Sequence, residues 1–181
     1  RLVEWPVTHT IKCLAFYHPD DPADLKTEQS QKLLTLYEAA RKVGRELLVE
    51  IIAGKHGVLA DDTVSRAMAE LYALGIKPDW WKLEPQSTHA AWANIEKAIA
   101  ANDPYCRGIV LLGLDAPEEE LAKAFELTAG HAAVKGFAVG RTIFSAVAHD
   151  WLSNRIDDAN ATLQMAGRFA KLVDVWNRSH S

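Results

Sequence analysis

The sequence predicts an α/β fold built on a parallel β-sheet. Three observations carry that expectation. Five short runs, residues 10–17, 46–53, 80–85, 107–112 and 134–139, are apolar and rich in strand-forming side chains. Each leads, through a turn containing Gly, Pro or Asp, into a stretch whose apolar residues recur at helical spacing. The runs are near-continuously hydrophobic instead of alternating, as in parallel sheets covered by helices. An open doubly wound sheet and part of a (β/α) barrel both satisfy the pattern.

The elements follow in order. Residues 1–9 (RLVEWPVTH) read as a connector, and TIKCLAFY at 10–17 as a first strand with Lys12 its only charge. The turn His18-Pro19-Asp20-Asp21-Pro22 ends it. A helix over 24–43 has Leu33, Leu36, Tyr37 and Ala40 on one face and stops at Gly44. ELLVEIIA at 46–53 is the second strand, with Glu50 among Leu, Val and Ile. The loop Gly54-Lys55-His56-Gly57 leads to a helix capped at Asp61 or Asp62 and closed by Gly75. The third strand, 80–85, puts Trp80, Lys82 and Glu84 on one face and Trp81 and Leu83 on the other. Taken alone, it reads as an edge strand with a solvated Lys-Glu pair. A helix over 88–101 and a strand over 107–112 come next. Pro117 then opens a helix whose first turn carries three glutamates, suited to the positive helix end. A fifth strand over 134–139 runs into Gly140-Arg141-Thr142. Helices over 143–152 and 157–178 close the chain as one domain.

Composition narrows the function. The 181 residues are 49% hydrophobic with a formal net charge of −4, enough for one real core and without an electrostatic reason to expect nucleic acid or a membrane as partner. No GxGxxG follows a strand, no GxxxxGK[ST] is present, and the seven histidines show no HExxH spacing. Cys13 and Cys106 lie far apart inside apolar runs and read as buried thiols of a cytoplasmic protein. The chain begins at Arg1 without an initiating Met, which suggests a piece of something longer.

Lys12, Glu50 and Lys82 fall one in each of the first three strands. Three unpaired charges in a core would cost several kcal/mol apiece, about 3–5 for a broken pair, so they are expected to meet one another or water. In a parallel barrel, inward side chains converge near the strand C-terminal ends. A lysine desolvated beside a second cation loses its proton more readily, and a neutral amine attacks carbonyls. A carboxylate between two lysines shuttles the protons of that chemistry. An internal Lys-Glu-Lys salt bridge explains the same pattern equally well.

IKCLAFY, LLVEII and DWWKLEP, with FAVGR near the end, resemble the class I tagatose 1,6-bisphosphate aldolase family of (β/α)8 TIM barrels. More closely, the chain is similar to an aldolase-like domain that follows the sugar kinase in bacterial kinase–aldolase fusions of myo-inositol catabolism. The phrases FYHPDDPA, GIKPDWWKLEPQ and VGRTIF carry that likeness, which extends over essentially all 181 residues. The resemblance implies the C-terminal part of a barrel, five βα units with parallel strands in order 1-2-3-4-5. It makes Lys82 the Schiff-base lysine, Glu50 the acid/base and Lys12 the assisting lysine. Gly140 and Arg141 match a phosphate-binding turn, with Gly113 after the preceding strand as a further substrate phosphate-binding position. A helix N-terminus with a guanidinium is in any case an anion site. The implied reaction is cleavage of a phosphorylated keto sugar acid, 6-phospho-5-dehydro-2-deoxy-gluconate, to dihydroxyacetone phosphate and malonate semialdehyde. No metal or cofactor is implied.

The family offers phosphate a small hydroxyl residue where this chain has Leu112-Gly113-Leu114-Asp115, and an Asp there repels phosphate. The family's first-strand aspartate has no counterpart. A metal-dependent reading on His18, Asp20 and Asp21 is weaker, since such a turn needs Pro and Asp anyway. Lys55 and His56 sit on the expected active-site side; the tryptophans read as packing. A rival reading is a non-catalytic sugar-phosphate-binding or scaffolding module attached to a kinase. Five strands of the eight a barrel needs leave two open edges. The 181 residues are therefore expected to be inactive alone and to lean on a homo-oligomer or the parent chain's kinase domain.

Overall fold

A computed structural model describes residues 2–113 and 115–181. After a single 3-10 turn at Leu2–Glu4, five strands alternate with helices: β1 Ile11–Phe16, α1 Ala23–Lys42, β2 Leu47–Ile52, α2 Thr63–Ala73, β3 Trp80–Leu83, α3 His89–Asn102, β4 Gly108–Leu112, α4 Glu118–Glu126 and β5 Val134–Ala138. Two helices follow, α5 Arg141–Leu152 and α6 Asp158–Ser179. The strands are trimmed relative to the apolar runs. β3 stops at Leu83, two residues before Pro85, which has no N–H for the ladder. α5 starts at Arg141, two residues before the first periodic apolar residue, because Arg141 and Thr142 are polar and give no periodic signal.

Local chemistry sets the helix ends. Thr88 accepts the Ala91 N–H at the start of α3, and Asp157 accepts the Asn160 N–H at the start of α6. Gly75 follows α2 at φ 82°, where the Gly75 and Ile76 N–H groups reach back to the Tyr72 and Leu71 carbonyls at 2.9 and 3.1 Å.

All strand pairs are parallel, in the order β1-β2-β3-β4-β5. β3 is therefore central, not an edge. The order never reverses, so right-handed crossovers put every connecting helix on the same face. That sets aside the doubly wound architecture, which needs a reversal point. Burial agrees. The strand residues in the main hydrophobic core, Ile11, Ala15, Leu47, Val49, Ile51, Trp81, Leu83, Ile109, Leu111 and Val134, all come from one side of the sheet. α6 extends this layer over β5, where Trp176 meets Phe125 edge-on at 5.2 Å and lies 5.9 Å from Phe137.

The other side of the sheet presents Leu14, Glu50, Lys82, Val110 and Gly136 as one cross-strand row. A flat sheet would hold β1 and β5 about 19 Å apart, four spacings of ~4.8 Å. Leu14 and Ala138 nevertheless line one cavity of about 130 Å³, so the sheet curls around it. This concave face holds the candidate site. No described helix is long and apolar enough to cross a membrane.

Candidate active site

Lys12, Glu50 and Lys82 all lie on the concave face, because positions two apart on a strand share a side and the register aligns the strands. Glu50, 5% exposed, is the hub. Its Oε1 is 3.3 Å from Lys82 Nζ, and its Oε2 pairs with Lys12 Nζ. Burying a carboxylate here is tolerable because two ammonium groups answer it. Lys82 is mostly enclosed, with 18% of its side chain exposed.

The expected grouping at the strand C-terminal ends needs correction for one member. Lys12 is the second residue of β1 and is level with Leu48, one row below Glu50. Its long side chain climbs to reach the carboxylate and stays half exposed, and it does not line the cavity. Lys82 and Glu50 do line it, together with Leu14, Ile52 and Leu112.

The solvated Lys82–Glu84 pair suggested by β3 alone is also corrected. Glu84 is 3% exposed and accepts the Ala53 N–H at 2.7 Å and the Gly54 N–H at 3.0 Å. It closes the end of β2, leaving Lys82 to Glu50. The reason is non-local, since the β2 terminus offers two unpaired N–H donors directly beside Glu84.

The far wall of the cavity is Gly113, Asp115, Ala138, Val139, Gly140, Arg141 and Thr142. Gly140 and Arg141 thus face the same space as Lys82, at the start of α5, whose first N–H groups have no intrahelical acceptor. Gly113 has a steric reason to be glycine, for a Cβ there would run into the Val139 side chain. Leu114, in the same loop, lies outside the described residues. Asp115 Oδ2 stands 3.9 Å from Arg141 Nη1. Thr142, which the sequence pattern did not single out, lines the cavity while its hydroxyl donates to the Ala116 carbonyl at 3.0 Å. Only its position two residues after Gly140 hints at it.

Other suggested groups lie elsewhere. His18 is buried, its Nδ1 accepting the Asp20 N–H at 3.1 Å. His56 pairs through Nδ1 with Asp21 at 2.9 Å, and neither it nor Lys55 lines the cavity. Asp21 is held below the ordinary carboxylate value: burial pushes it up, but hydrogen bonds from His56 and the His18 N–H outweigh that. Trp81 and Trp92 are fully buried, and no tryptophan lines the cavity. Among the described residues, no group of three His, Cys, Asp or Glu side chains is arranged to hold a metal.

Where a carboxylate stands between two amines at a cavity with an arginine on its far side, an amine can form an imine with a carbonyl and the carboxylate can move the protons. Comparison with curated proteins found no match. Residues 1–180 match the family described as uncharacterized protein conserved in bacteria (DUF2090), and the chain belongs to that family.

Proposed function

We propose that the chain carries the Schiff-base half of a class I aldolase, with Lys82 as the imine-forming residue. The observation that supports this most is the Lys82–Glu50 contact of 3.3 Å at the wall of a cavity that also touches Arg141. The curled, singly wound sheet fits five βα units of a (β/α)8 barrel, with three further strands completing the edges of β1 and β5. The proposed substrate is a phosphorylated keto sugar acid of the 6-phospho-5-dehydro-2-deoxy-gluconate type, acted on in the cytoplasm.

Glu50 takes a proton from the Lys82 ammonium, the freed amine attacks the ketone carbon, and Glu50 returns that proton to expel water from the carbinolamine. Once the protonated imine stands, Glu50, again a carboxylate, takes the proton of the hydroxyl β to it. The carbon–carbon bond breaks with its electron pair moving into the imine, and malonate semialdehyde leaves. Protonation of the enamine and attack by water free dihydroxyacetone phosphate and restore the amine. Lys12 keeps Glu50 paired while Lys82 is consumed in the imine. Arg141 and the first turn of α5 hold the phosphate.

The test is incubation with dihydroxyacetone phosphate and borohydride, in a protein carrying these residues in a closed barrel, followed by mapping of the adduct. An adduct on Lys82 supports the reading, and its absence rejects it. The engagement of Glu50 by both lysines favours a second reading, a closed ion triad in a non-catalytic sugar-phosphate-binding module. In that case phosphate binds and nothing is trapped.

A further inference from the structure

We propose that Asp115 is the charge-tuning residue of the anion subsite at Arg141, serving as the arginine's counter-ion and cancelling the advantage that a dianion would otherwise have over a singly charged anion. The inference rests on the reading of Gly140 and Arg141 as that subsite. The ionisable residues lining the cavity are Glu50, Lys82, Asp115 and Arg141, two of each sign. A carboxylate on the anion's own wall weakens the pull of Arg141 on every added negative charge.

Asp115 is held where it stands. Its backbone lies in the left-handed region at φ 64°, which Asp tolerates better than most residues. The turn is closed by the Ala116 N–H to the Gly113 carbonyl at 2.7 Å, and the Thr142 hydroxyl ties Ala116 to the first turn of α5. These bonds keep Asp115 beside Arg141. The pair itself is loose. At 3.9 Å, with 63% of the Arg141 and 46% of the Asp115 side chain exposed, it is an ion pair without the fork geometry of a hydrogen-bonded one. An incoming anion displaces such a partner from the guanidinium at little cost but still meets its charge. At ~4 Å in a water-exposed setting, Asp115 costs roughly fivefold in binding for each negative charge on the ligand.

The other charged groups around the pair are Glu50 and Lys82 across the cavity, and Glu118 of α4 and Arg168 of α6 in an adjoining hollow. No histidine lines either space among the described residues. Between about pH 5 and about pH 8 inorganic phosphate passes from singly to doubly charged, whereas sulfate does not change.

Calorimetric titration of the chain with sulfate, doubly charged throughout, and with inorganic phosphate across that range tests the proposal. The wild-type chain should bind singly charged phosphate and sulfate about equally and show phosphate affinity that changes little with pH. Asp115→Asn, isosteric and tolerant of the left-handed region, should bind sulfate roughly 25-fold more tightly, about fivefold for each of its two charges, and make phosphate binding tighten as pH rises. Asp115→Gly should do the same and covers the case in which the amide disturbs the loop. Unchanged or weaker sulfate binding in both variants, with the pH profile intact, overturns the proposal. Arg141→Ala separates this from failure of the underlying reading. Loss of binding in that variant with no response at Asp115 sinks only the role of Asp115. Undiminished binding without Arg141, or no binding by any of these chains, sinks the subsite and the proposal together.

Discussion

On the helix-covered face of the sheet, Leu47, Val49, Trp81, Leu83, Ile109 and Leu111 are wholly removed from solvent. On the concave face the same strands present Lys12, Leu14 and Phe16, about two-fifths exposed in the case of the two apolar residues, beside the buried Glu50 and the enclosed Lys82. The two faces are one residue apart along each strand. Apolar packing on one face gives the sheet its stability, which leaves the other free to carry charges that packing alone would reject. Neighbouring positions should therefore fail in different ways when changed.

The largest contrast is at β3. Lys82→Met should abolish borohydride-trapped adduct while the protein stays folded, since only the amine makes the covalent bond. Undiminished adduct would pass the role to Lys12 and move the chemistry one row down the face. Glu50→Gln should leave some trapping but slow turnover by about 10²–10⁴-fold, the usual loss for a positioned acid/base. Turnover unaffected by that change would leave Glu50 as a counter-ion only.

Stability sharpens the comparison from the other side. Leu111→Ala, on the covered face, should cost about 2–5 kcal/mol by denaturant titration. Leu14→Ala, on the concave face, should cost less than about 1 kcal/mol. Equal losses would mean that the concave face is packed in solution against another chain, which light scattering would reveal.

Within the cavity, Arg141→Ala should raise KM for a phosphorylated substrate about tenfold, with a smaller loss in kcat. Equal effects on phosphorylated and unphosphorylated compounds would make the turn merely structural.

A pH-dependent effect lies at the opposite end of the sheet, where Asp79 accepts the Leu47 N–H at 2.8 Å and pairs with Arg41. Burial pushes this carboxyl up, but the Arg41 guanidinium and the Leu47 N–H outweigh it and hold Asp79 below its ordinary 3.8. A depressed folded-state value means that the contribution is present above about pH 4 and is lost as pH falls through the lowered value. Asp79→Asn should thus cost about 1–2 kcal/mol near neutrality and progressively less in acid, read as the difference in melting temperature. A cost independent of pH would assign the effect to the lost Leu47 contact alone.

The expected strands and helices reappear because period-two and helical spacing are local properties of the chain. Three charges in apolar runs, Lys12, Glu50 and Lys82, were equally visible, since desolvation makes such residues conspicuous wherever they fall. The sheet order, its curl and its cross-strand pairings were not visible, because no local pattern encodes which residue stands opposite which. Lys82 and Glu84 share a face and looked like partners, yet the unpaired N–H groups at the end of β2 claim Glu84 and the β2–β3 register gives Lys82 to Glu50. Lys12 enters one row low and reaches the carboxylate only through its length. Asp115 was legible as a charge in the wrong place for phosphate, but its approach to Arg141 depends on a turn fastened to α5 by Thr142. Local residue patterns set the elements, their faces and the residue types at hand for chemistry. Tertiary structure alone decided which of those residues meet, because register and curvature are set by packing between distant segments.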